Sequence, residues 1–571
     1  MQALLFGGDR RKVMTADKII IGKIYTGAED NLFAEGMAVK DGKFIYVGKK
    51  EGLEQYIGDK TEFIEKKTGL VIPGMTEGHA HICSGADLLF GVSLRKAESV
   101  EEYLVRIKKY MSKYPEKEVI TGFGFETGIF DDIGPTAELL DMVSMEKPLI
   151  MQSIDAHSYW VNSKVLELAG INETTTEVEN GMIVRYPGTK KPTGWLEELA
   201  GNLLGPLMPE RTLEQYKEAI LYFQEIALSN GEVMAFEPMY DRRKDYELRC
   251  QAYHELAEEG KLKVTFRAAY TLEPDDNPNQ VFETMDRIRK SVGNCEKFQM
   301  NTMKIFIDGV VEGHTAFLRE DYENTPGNRG ESMFEQERLN EAVKRACEKG
   351  YWVHTHAIGD AAADVILEAY EYAQKSKKIR TYRNAMTHLQ ILAPDQIEKM
   401  KELECVAVVN PYWHRKDKVF YDNLEVPFLG RKRAEKQYPV ASLIRSKIPV
   451  SQASDWPVTP DPRPMASLHF MLNRKNPDHM EEEDFWMEEA VTVEEAMKIL
   501  TYGGAYQLDM ETRKGTIETG KDADFVLLSE DVFTMNTKKL STVVVEETYI
   551  EGERVWADSI NCQNISVLNG N

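Results

Sequence analysis

The stretch that decides the fold is "VIPGMTEGHAHI", residues 71–82, in which an apolar run is followed by two histidines one residue apart. The whole chain has 11 histidines among 571 residues. Side chains at positions i and i+2 of an extended strand share a face, so His79 and His81 are expected to point at one place. A solvated surface strand and a metal site both fit this pair, and the rest of the chain has to decide between them.

Short apolar runs alternate with longer amphipathic segments after this pair. Together with the run that ends at His81, they make eight predicted strands; the other seven are residues 231–239, 263–272, 303–309, 351–360, 383–391, 405–411 and 449–458. Eight strand–helix repeats predict an α/β protein with a (β/α)₈ TIM barrel. We assign residues 71–505 to this barrel.

The two ends of the chain read as short strands with tight turns. Asp41-Gly42 and Glu551-Gly552 each lie between apolar alternations and predict hairpins. Neither residues 1–70 nor residues 506–571 can bury a core alone, so both ends are expected to form one small β-sandwich domain. The segment between His81 and the second strand is too long for a loop, and residues 90–225 are expected to form an inserted, mostly helical cap over the barrel mouth.

The bulk composition excludes several classes of partner. With 94 acidic and 70 basic residues the net charge is -24, which argues against nucleic acid. No apolar run approaches the roughly 20 residues that span a bilayer, and the N-terminal segment lacks the order of a signal peptide. The six scattered cysteines indicate reduced thiols. We therefore expect a cytoplasmic protein with a small-molecule partner.

Ligand-type residues recur at the ends of the predicted strands, where a TIM barrel places its functional groups. His356 ends the fifth strand, His388 the sixth and Asp455 the eighth, and Lys304 lies in the otherwise apolar fourth strand. Taken singly, His388 fits a core histidine, Lys304 an outward-facing lysine and Asp455 a helix cap. Taken together with the opening pair, they predict a metal site at the barrel mouth.

The order of "PGMTEGHAH", "MKIFIDG", "HTHAIGD", "THLQ", "SDWP" and "GTIETGKDADFVLL" resembles the amidohydrolase superfamily, and within it the amidohydrolase-3 branch of YtcJ-like and N-substituted formamide deformylase-like proteins. The resemblance covers residues 15–557. It implies divalent metal ions, two zinc ions or a single one, and a homo-oligomer. One ion would be bound by His79 and His81 and the second by His356 and His388.

By the same resemblance, Lys304 carries a carboxylate formed with CO₂ and bridges both ions, and Asp455 is a metal ligand and the catalytic acid/base. Two positions depart from the family's pattern. Glu77 stands where Asp is usual, and His354 adds a second inward histidine beside His356. We take His356 as the ligand because it directly precedes the Ala-Ile-Gly-Asp turn, and we expect His354 to contact substrate.

Three further residues are predicted to contact substrate. His157 and Trp160 lie in "QSIDAHSYWVNS", and His314 lies in "DGVVEGHTA" after the fourth strand. For His157, ordinary loop hydrogen bonding is the alternative.

These residue types support hydrolysis. A bound divalent ion lowers the pKa of water to about 7, and a nearby carboxylate can pass the proton to a leaving nitrogen. The sequence therefore predicts a metal-dependent hydrolase that uses metal-activated hydroxide on a non-peptide C–N bond, in an amide, formamide or cyclic amide of a small molecule. The alternatives are a mononuclear-metal deaminase of the same superfamily and a catalytically inert binding or regulatory protein.

Overall fold

The structure is a computed structural model that describes residues 15–178, 181–239, 245–378 and 383–558. The predictions for the N-terminal segment up to residue 14 and for Cys562 lie outside these residues. The described chain contains three sheets: an eight-stranded barrel, a seven-stranded sheet built from both chain ends and a six-stranded sheet in the insert.

The barrel has the predicted eight parallel strands, paired in chain order. Barrel strands 1 to 8 are Met75–Glu77, Glu232–Glu237, Thr265–Thr271, Phe298–Phe306, Trp352–Ala357, Ala385–His388, Val406–Val409 and Val450–Gln452. Strands 8 and 1 are joined by a 3.0 Å hydrogen bond from the Gly78 amide to the Gln452 carbonyl. The prediction of a (β/α)₈ barrel is confirmed.

Helices cover the barrel because their apolar residues recur on one face. In Gln336–Glu348 the buried residues include Leu339, Val343 and Ala346, which recur at helical spacing. Gly350, with φ of +75°, ends this segment as the sequence predicted. The other helices that follow the insert are Leu213–Ser229, Tyr246–Glu258, Pro278–Val292, Asp360–Gln374, Pro394–Glu402, Val426–Leu429, Arg431–Ala434, Val440–Arg445, Pro464–Asn473, Val493–Lys498 and Gly504–Gln507.

Both chain ends contribute to one seven-stranded sheet. Its strands are Lys18–Tyr25, Phe33–Lys40, Lys43–Gly48, Glu62–Pro73, Phe525–Leu528, Val545–Ile550 and Glu553–Ala557. Phe525–Leu528 pairs with Glu62–Pro73, which joins the two ends. The hairpins at Asp41-Gly42 and Glu551-Gly552 are present, with positive φ at all four residues. The strands are hydrogen-bonded as one continuous sheet, whereas the sequence predicted a two-sheet sandwich.

The insert is a mixed α/β unit, so the prediction that residues 90–225 are mostly helical is wrong. Its strands are Val92–Ser93, Ile120–Phe125, Leu149–Ser153, Ser158–Val161, Gly181–Arg185 and Pro192–Glu198. The α-helices around them are Gly85–Phe90, Val100–Lys113, Ala137–Asp141 and Ser163–Ala169. These strands have seven residues or fewer, too short for their alternation to outweigh the stronger helical signals nearby. Over the described residues, no helix combines the length and the apolar character that a bilayer crossing needs.

Candidate metal centre

The C-terminal ends of the barrel strands surround a cavity of about 320 Å³. Six of the residues predicted from the sequence line it: His79, His81, His157, His356, His388 and Asp455. They come from strand ends 1, 5, 6 and 8 and from the insert. The barrel topology brings them together although up to 376 positions separate them in the sequence (455 − 79).

The opening pair lies just beyond strand 1, which ends at Glu77, and not on the strand as predicted. The two rings still converge, with centroids 5.2 Å apart. Glu77 explains why: one oxygen of its buried carboxylate accepts hydrogen bonds from the backbone amides of His79 (2.8 Å) and Ser454 (3.0 Å). The glutamate therefore ties the loop after strand 1 to the loop that carries Asp455.

Three ligand atoms meet at this point. The Nε2 atoms of His79 and His81 each lie 3.3 Å from Oδ1 of Asp455, and the group spans no more than 4.8 Å. His79 Nε2 and Asp455 Oδ1 are buried and have no hydrogen-bond partner among the described residues. Buried polar atoms without partners are rare and costly. Two imidazoles and a carboxylate in this arrangement fit a divalent cation.

His356 and His388 lie beside this group. Their ring centroids are 4.6 Å apart, and the His388 ring lies 5.3 Å from that of His79. His356 Nε2 is 3.0 Å from the carbonyl oxygen of Gly309, and His388 Nδ1 is 3.0 Å from Oδ1 of Asn410. Because these oxygens accept, the bonded nitrogens carry the protons, which leaves His356 Nδ1 and His388 Nε2 with lone pairs for a metal.

The burial of these rings keeps them uncharged. Burial lowers the pKa of His79, His354 and His356 well below the usual value for histidine, and it lowers the pKa of His388 to about 3. Neutral imidazole is the form that binds metal ions.

Lys304 is buried in barrel strand 4 and points inward, as predicted. Its Nζ has no hydrogen-bond partner among the described residues and lies 4.4 Å from the centroid of the Phe306 ring. Burial lowers the pKa of Lys304 to about 7. A large part of the amine is therefore uncharged at neutral pH, and the uncharged amine is the form that can add CO₂. A buried lysine amine without a hydrogen-bond partner among the described residues is compatible with the prediction that Lys304 carries a carboxylate formed with CO₂.

His354, for which the sequence predicted a substrate contact, is not among the described residues that line the cavity. Its Nε2 lies 2.8 Å from Nδ1 of His79, and its ring packs against Phe236 with centroids 4.6 Å apart. His356, two residues further along the same strand, does line the cavity. His354 therefore orients His79 through the ring nitrogen that faces away from Asp455.

His157 lines the cavity, as predicted, and its ring centroid lies 5.5 Å from that of His356. Its Nδ1 is 2.9 Å from Oε2 of Glu198. Burial lowers the pKa of His157, but the charge and hydrogen bond of Glu198 outweigh this effect and raise it to about 9. His157 is thus protonated at neutral pH.

The structure places two predicted substrate contacts elsewhere. Trp160 is fully buried in the core of the insert, and its Nε1 donates to the carbonyl of Thr136 at 2.7 Å. The His314 ring packs against Phe428 in a tilted arrangement, with centroids 3.9 Å apart, and His314 is not among the described residues that line the cavity. Neither residue is therefore placed at the cavity: Trp160 lies on strand Ser158–Val161 with its ring in the core of the insert, and His314 packs outside the lining residues.

Sequence reasoning missed the residues that hold the ligands. Asn410 directly follows strand 7, the same kind of position that carries ligands on other strands, and this was a usable signal. Gly309 was not detectable: a Cβ there would lie 2.1 Å from Thr315 Oγ1 and 2.2 Å from Glu198 Oε1. The close approach that aims the Gly309 carbonyl at His356 therefore needs glycine.

The chain is similar in sequence to several known proteins. Over its length the chain is 28% identical to protein LONG AFTER FAR-RED 3 of Arabidopsis thaliana, with 95% of this chain and 92% of the relative aligned. It is 27% identical to the putative amidohydrolase YtcJ of Bacillus subtilis (94% and 99% aligned) and 24% identical to the N-substituted formamide deformylase of Arthrobacter pascens (94% and 97% aligned).

Among solved structures, the fold is similar to that of an uncharacterized metal-dependent hydrolase from Pyrococcus horikoshii. The TM-score is 0.70 at 24% identity, over 91% of this chain and 99% of that chain. Residues 65–556 match the model of the amidohydrolase family, which confirms the resemblance that the motifs indicated. The chain belongs to the amidohydrolase family.

Proposed function

We propose that this protein is a metal-dependent hydrolase that cleaves a C–N bond other than a peptide bond, in an amide, formamide or cyclic amide of a small molecule. The observation that carries the proposal is a set of three buried ligand atoms without a hydrogen-bond partner among the described residues: His79 Nε2 and Asp455 Oδ1, whose residues line the cavity, and Lys304 Nζ in barrel strand 4. The similarity to an N-substituted formamide deformylase supports a C–N bond as the bond that is cleaved.

The donor set divides between two ions. His79, His81 and Asp455 would hold one, and Lys304, in its carboxylated form, would bridge to a second at His356 and His388. Bound divalent metal would supply Lewis acidity, which polarises a carbonyl and makes water more acidic.

Asp455 is the group that moves the proton. Water adds to the carbonyl carbon and gives its proton to the Asp455 carboxylate, which passes it to the nitrogen as the C–N bond breaks. A carboxylic acid and an amine leave. The Asp455 amide donates to the His79 carbonyl at 2.9 Å, and this bond fixes the residue at the cavity.

His157 can stabilise the charge that develops on the carbonyl oxygen. Glu198 holds its Nδ1, so Nε2 is the ring nitrogen left to donate. A preorganised, protonated donor is a common source of transition-state stabilisation.

The test combines metal analysis with turnover. Purified protein is expected to contain near two equivalents of metal and to release amine from members of a panel of formyl, acetyl and cyclic amides. Asp455→Asn is expected to keep most metal and lose turnover, and Asp132→Asn, at an exposed position, is the control. Substantial turnover by Asp455→Asn would rule out the proton-transfer role.

Lys304→Ala is expected to lose activity and at least one metal ion, whereas Lys290→Ala, on an exposed part of a helix, should lose neither. Mass spectrometry of active, metal-loaded protein that shows an unmodified Lys304 would contradict the carboxylated bridge.

One observation favours the deaminase as a second candidate. Only His79, His81 and Asp455 form a close three-ligand group among the described His, Cys, Asp and Glu residues, and such a group suits a single ion. One equivalent of metal with ammonia released from an amino-substituted ring would support the deaminase. Metal-free protein that turns over no substrate would support the inert binding protein.

A further inference from the structure

Four carboxyl groups that line the cavity are close enough for their charges to interact, and they are named here the acidic wall: Glu126, Glu312, Asp417 and Glu425. Glu126 follows the insert strand Ile120–Phe125, Glu312 follows barrel strand 4, and the other two follow strand 7. Three separate parts of the fold therefore deliver acidic side chains to the same space. None of the four belongs to the metal centre.

Two basic groups lie near the acidic wall, Arg415 and the protonated His157, whose charge acts on Glu312. Among the described residues that line the cavity, Arg415 is the single lysine or arginine, and its guanidinium lies 2.9 Å from Asp417. The Glu425 oxygens accept from the neutral amides of Gln390 (3.0 Å) and Gln437 (2.9 Å). Acidic side chains therefore outnumber basic ones along the wall.

Two buried hydroxyls in the same cavity lack partners. Tyr421, which lies on the same helical segment as Glu425, is 2% exposed, and Thr459 is 1% exposed. Neither oxygen has a hydrogen-bond partner among the described residues, and both residues line the cavity. Such groups are normally satisfied, so they indicate a polar ligand, and each hydroxyl oxygen can accept a hydrogen bond from an ammonium group.

The ionisation of the wall agrees with a missing cation. Burial raises the pKa of Glu312 to about 7, and the charge of Asp155 adds to this effect. Burial raises the pKa of Glu425 to about 8, and the charge of Glu312 adds to it. A bound cation would favour the ionised form of both groups.

We propose that the acidic wall binds an ammonium group of the substrate, so that the hydrolysed compound is an amide that keeps a protonated amine, such as a mono-N-acylated diamine. This inference rests on the proposed function for the bond that is cleaved. Tyr412, Trp413 and Phe420 line the same cavity. Arg415 already lies over the Tyr412 ring at 4.3 Å, and Trp413 stacks on His388. The Phe420 ring supplies an aromatic surface that suits an alkylammonium ion, through cation–π and apolar contact, better than a hydrated metal ion.

The first experiment compares three amides with the metal-loaded protein: N-acetylcadaverine, which is cationic, N-pentylacetamide, which is neutral, and N-acetylaminocaproate, which is anionic. The KM of the cationic amide is expected to be lower than that of the neutral one by about tenfold, the effect of about 1.4 kcal/mol. The anionic amide should be the poorest substrate. An equal or lower KM for N-pentylacetamide would overturn the ammonium site and leave the hydrolase in place.

Variants locate the effect. Glu312→Gln and Tyr421→Phe are each expected to raise the KM of N-acetylcadaverine several-fold and to leave the KM of N-pentylacetamide unchanged. Glu320→Gln, at an exposed position near Glu312 in the sequence, should change neither. Equal effects of Glu312→Gln on both amides would count against a charge-specific contact.

Calorimetric binding of pentane-diammonium to the metal-loaded protein gives a readout without turnover. Binding is expected, it should weaken with added salt, and Glu312→Gln should weaken it further. If none of the three amides is hydrolysed but pentane-diammonium binds with this dependence on salt and on Glu312, the hydrolase proposal fails and the ammonium site stands. If pentane-diammonium does not bind, or if calcium ions occupy the acidic wall and exclude it, the ammonium site is refuted.

Discussion

Replacing His354 by phenylalanine tests how the structure aims His79 at the metal. The substitution removes the 2.8 Å contact between His354 Nε2 and His79 Nδ1. A phenyl ring can keep the packing against Phe236, whose centroid lies 4.6 Å from the imidazole. The change therefore acts on one hydrogen bond more than on the core.

The expected loss follows from the burial of both rings. His79 is 0% and His354 is 2% exposed, so water cannot replace the lost partner. Removing a group that orients a metal ligand typically costs about 10- to 100-fold in metal affinity. This loss corresponds to about 1.4–2.7 kcal/mol.

Zinc affinity is measured by competition with a chromophoric chelator. In parallel, kcat/KM is measured at limiting and at saturating zinc concentrations. His354→Phe is expected to bind zinc about 10- to 100-fold more weakly and to regain much of its activity when zinc is in excess. His354→Gln, which keeps a hydrogen-bonding group, should lose less. Thr355→Val is the control, because Thr355 lies on the same strand and contacts Tyr370 at 2.8 Å instead of the site.

Unchanged zinc affinity in His354→Phe would refute the orienting role. If His354→Phe abolishes one metal equivalent while His356→Phe retains it, then His354 is the ligand, and the assignment of the two histidines is reversed.

Trp160→Ala should lower the free energy of unfolding by about 3–5 kcal/mol, because Trp160 fills the core of the insert. The metal content should not change. A raised KM together with an unchanged free energy of unfolding in denaturant would contradict this prediction. Burial lowers the pKa of Lys304 to about 7 from 10.5, so the folded chain binds fewer protons than the unfolded chain between these values and stability rises with pH. Lys304→Met should flatten that rise in metal-free protein, measured by urea unfolding across the range. Glu198 raises the pKa of His157 to about 9 from 6.5 against the effect of burial, so the stabilisation is complete below 6.5 and is lost as pH rises through 9. Glu198→Gln should move the His157 titration, followed by NMR, to lower pH, and an unmoved titration would exclude Glu198 as the cause.

The strand ends that carry ligands could be predicted because a TIM barrel gathers the ends of all its strands on one side. His356, His388 and Asp455 needed only the strand order to be placed together. Lys304 was recognisable because a lysine within an apolar strand is costly unless something compensates it. Strand order could not predict the structure of the insert, nor that three residues predicted to contact substrate, His354, Trp160 and His314, lie outside the cavity lining.

The sequence by itself determined the barrel, the pairing of the chain ends and the set of metal-type residues, because strand alternation and strand order are properties of consecutive positions. Only the tertiary structure decided which nitrogen of each histidine is free, since the partners are a carbonyl at Gly309, an amide at Asn410 and a ring at His354. The tertiary structure alone brings the four acidic wall residues together from three separate segments of the chain. Hydrogen-bond partners and local charge depend on distances between residues remote in the chain, and no pattern of neighbours encodes those distances.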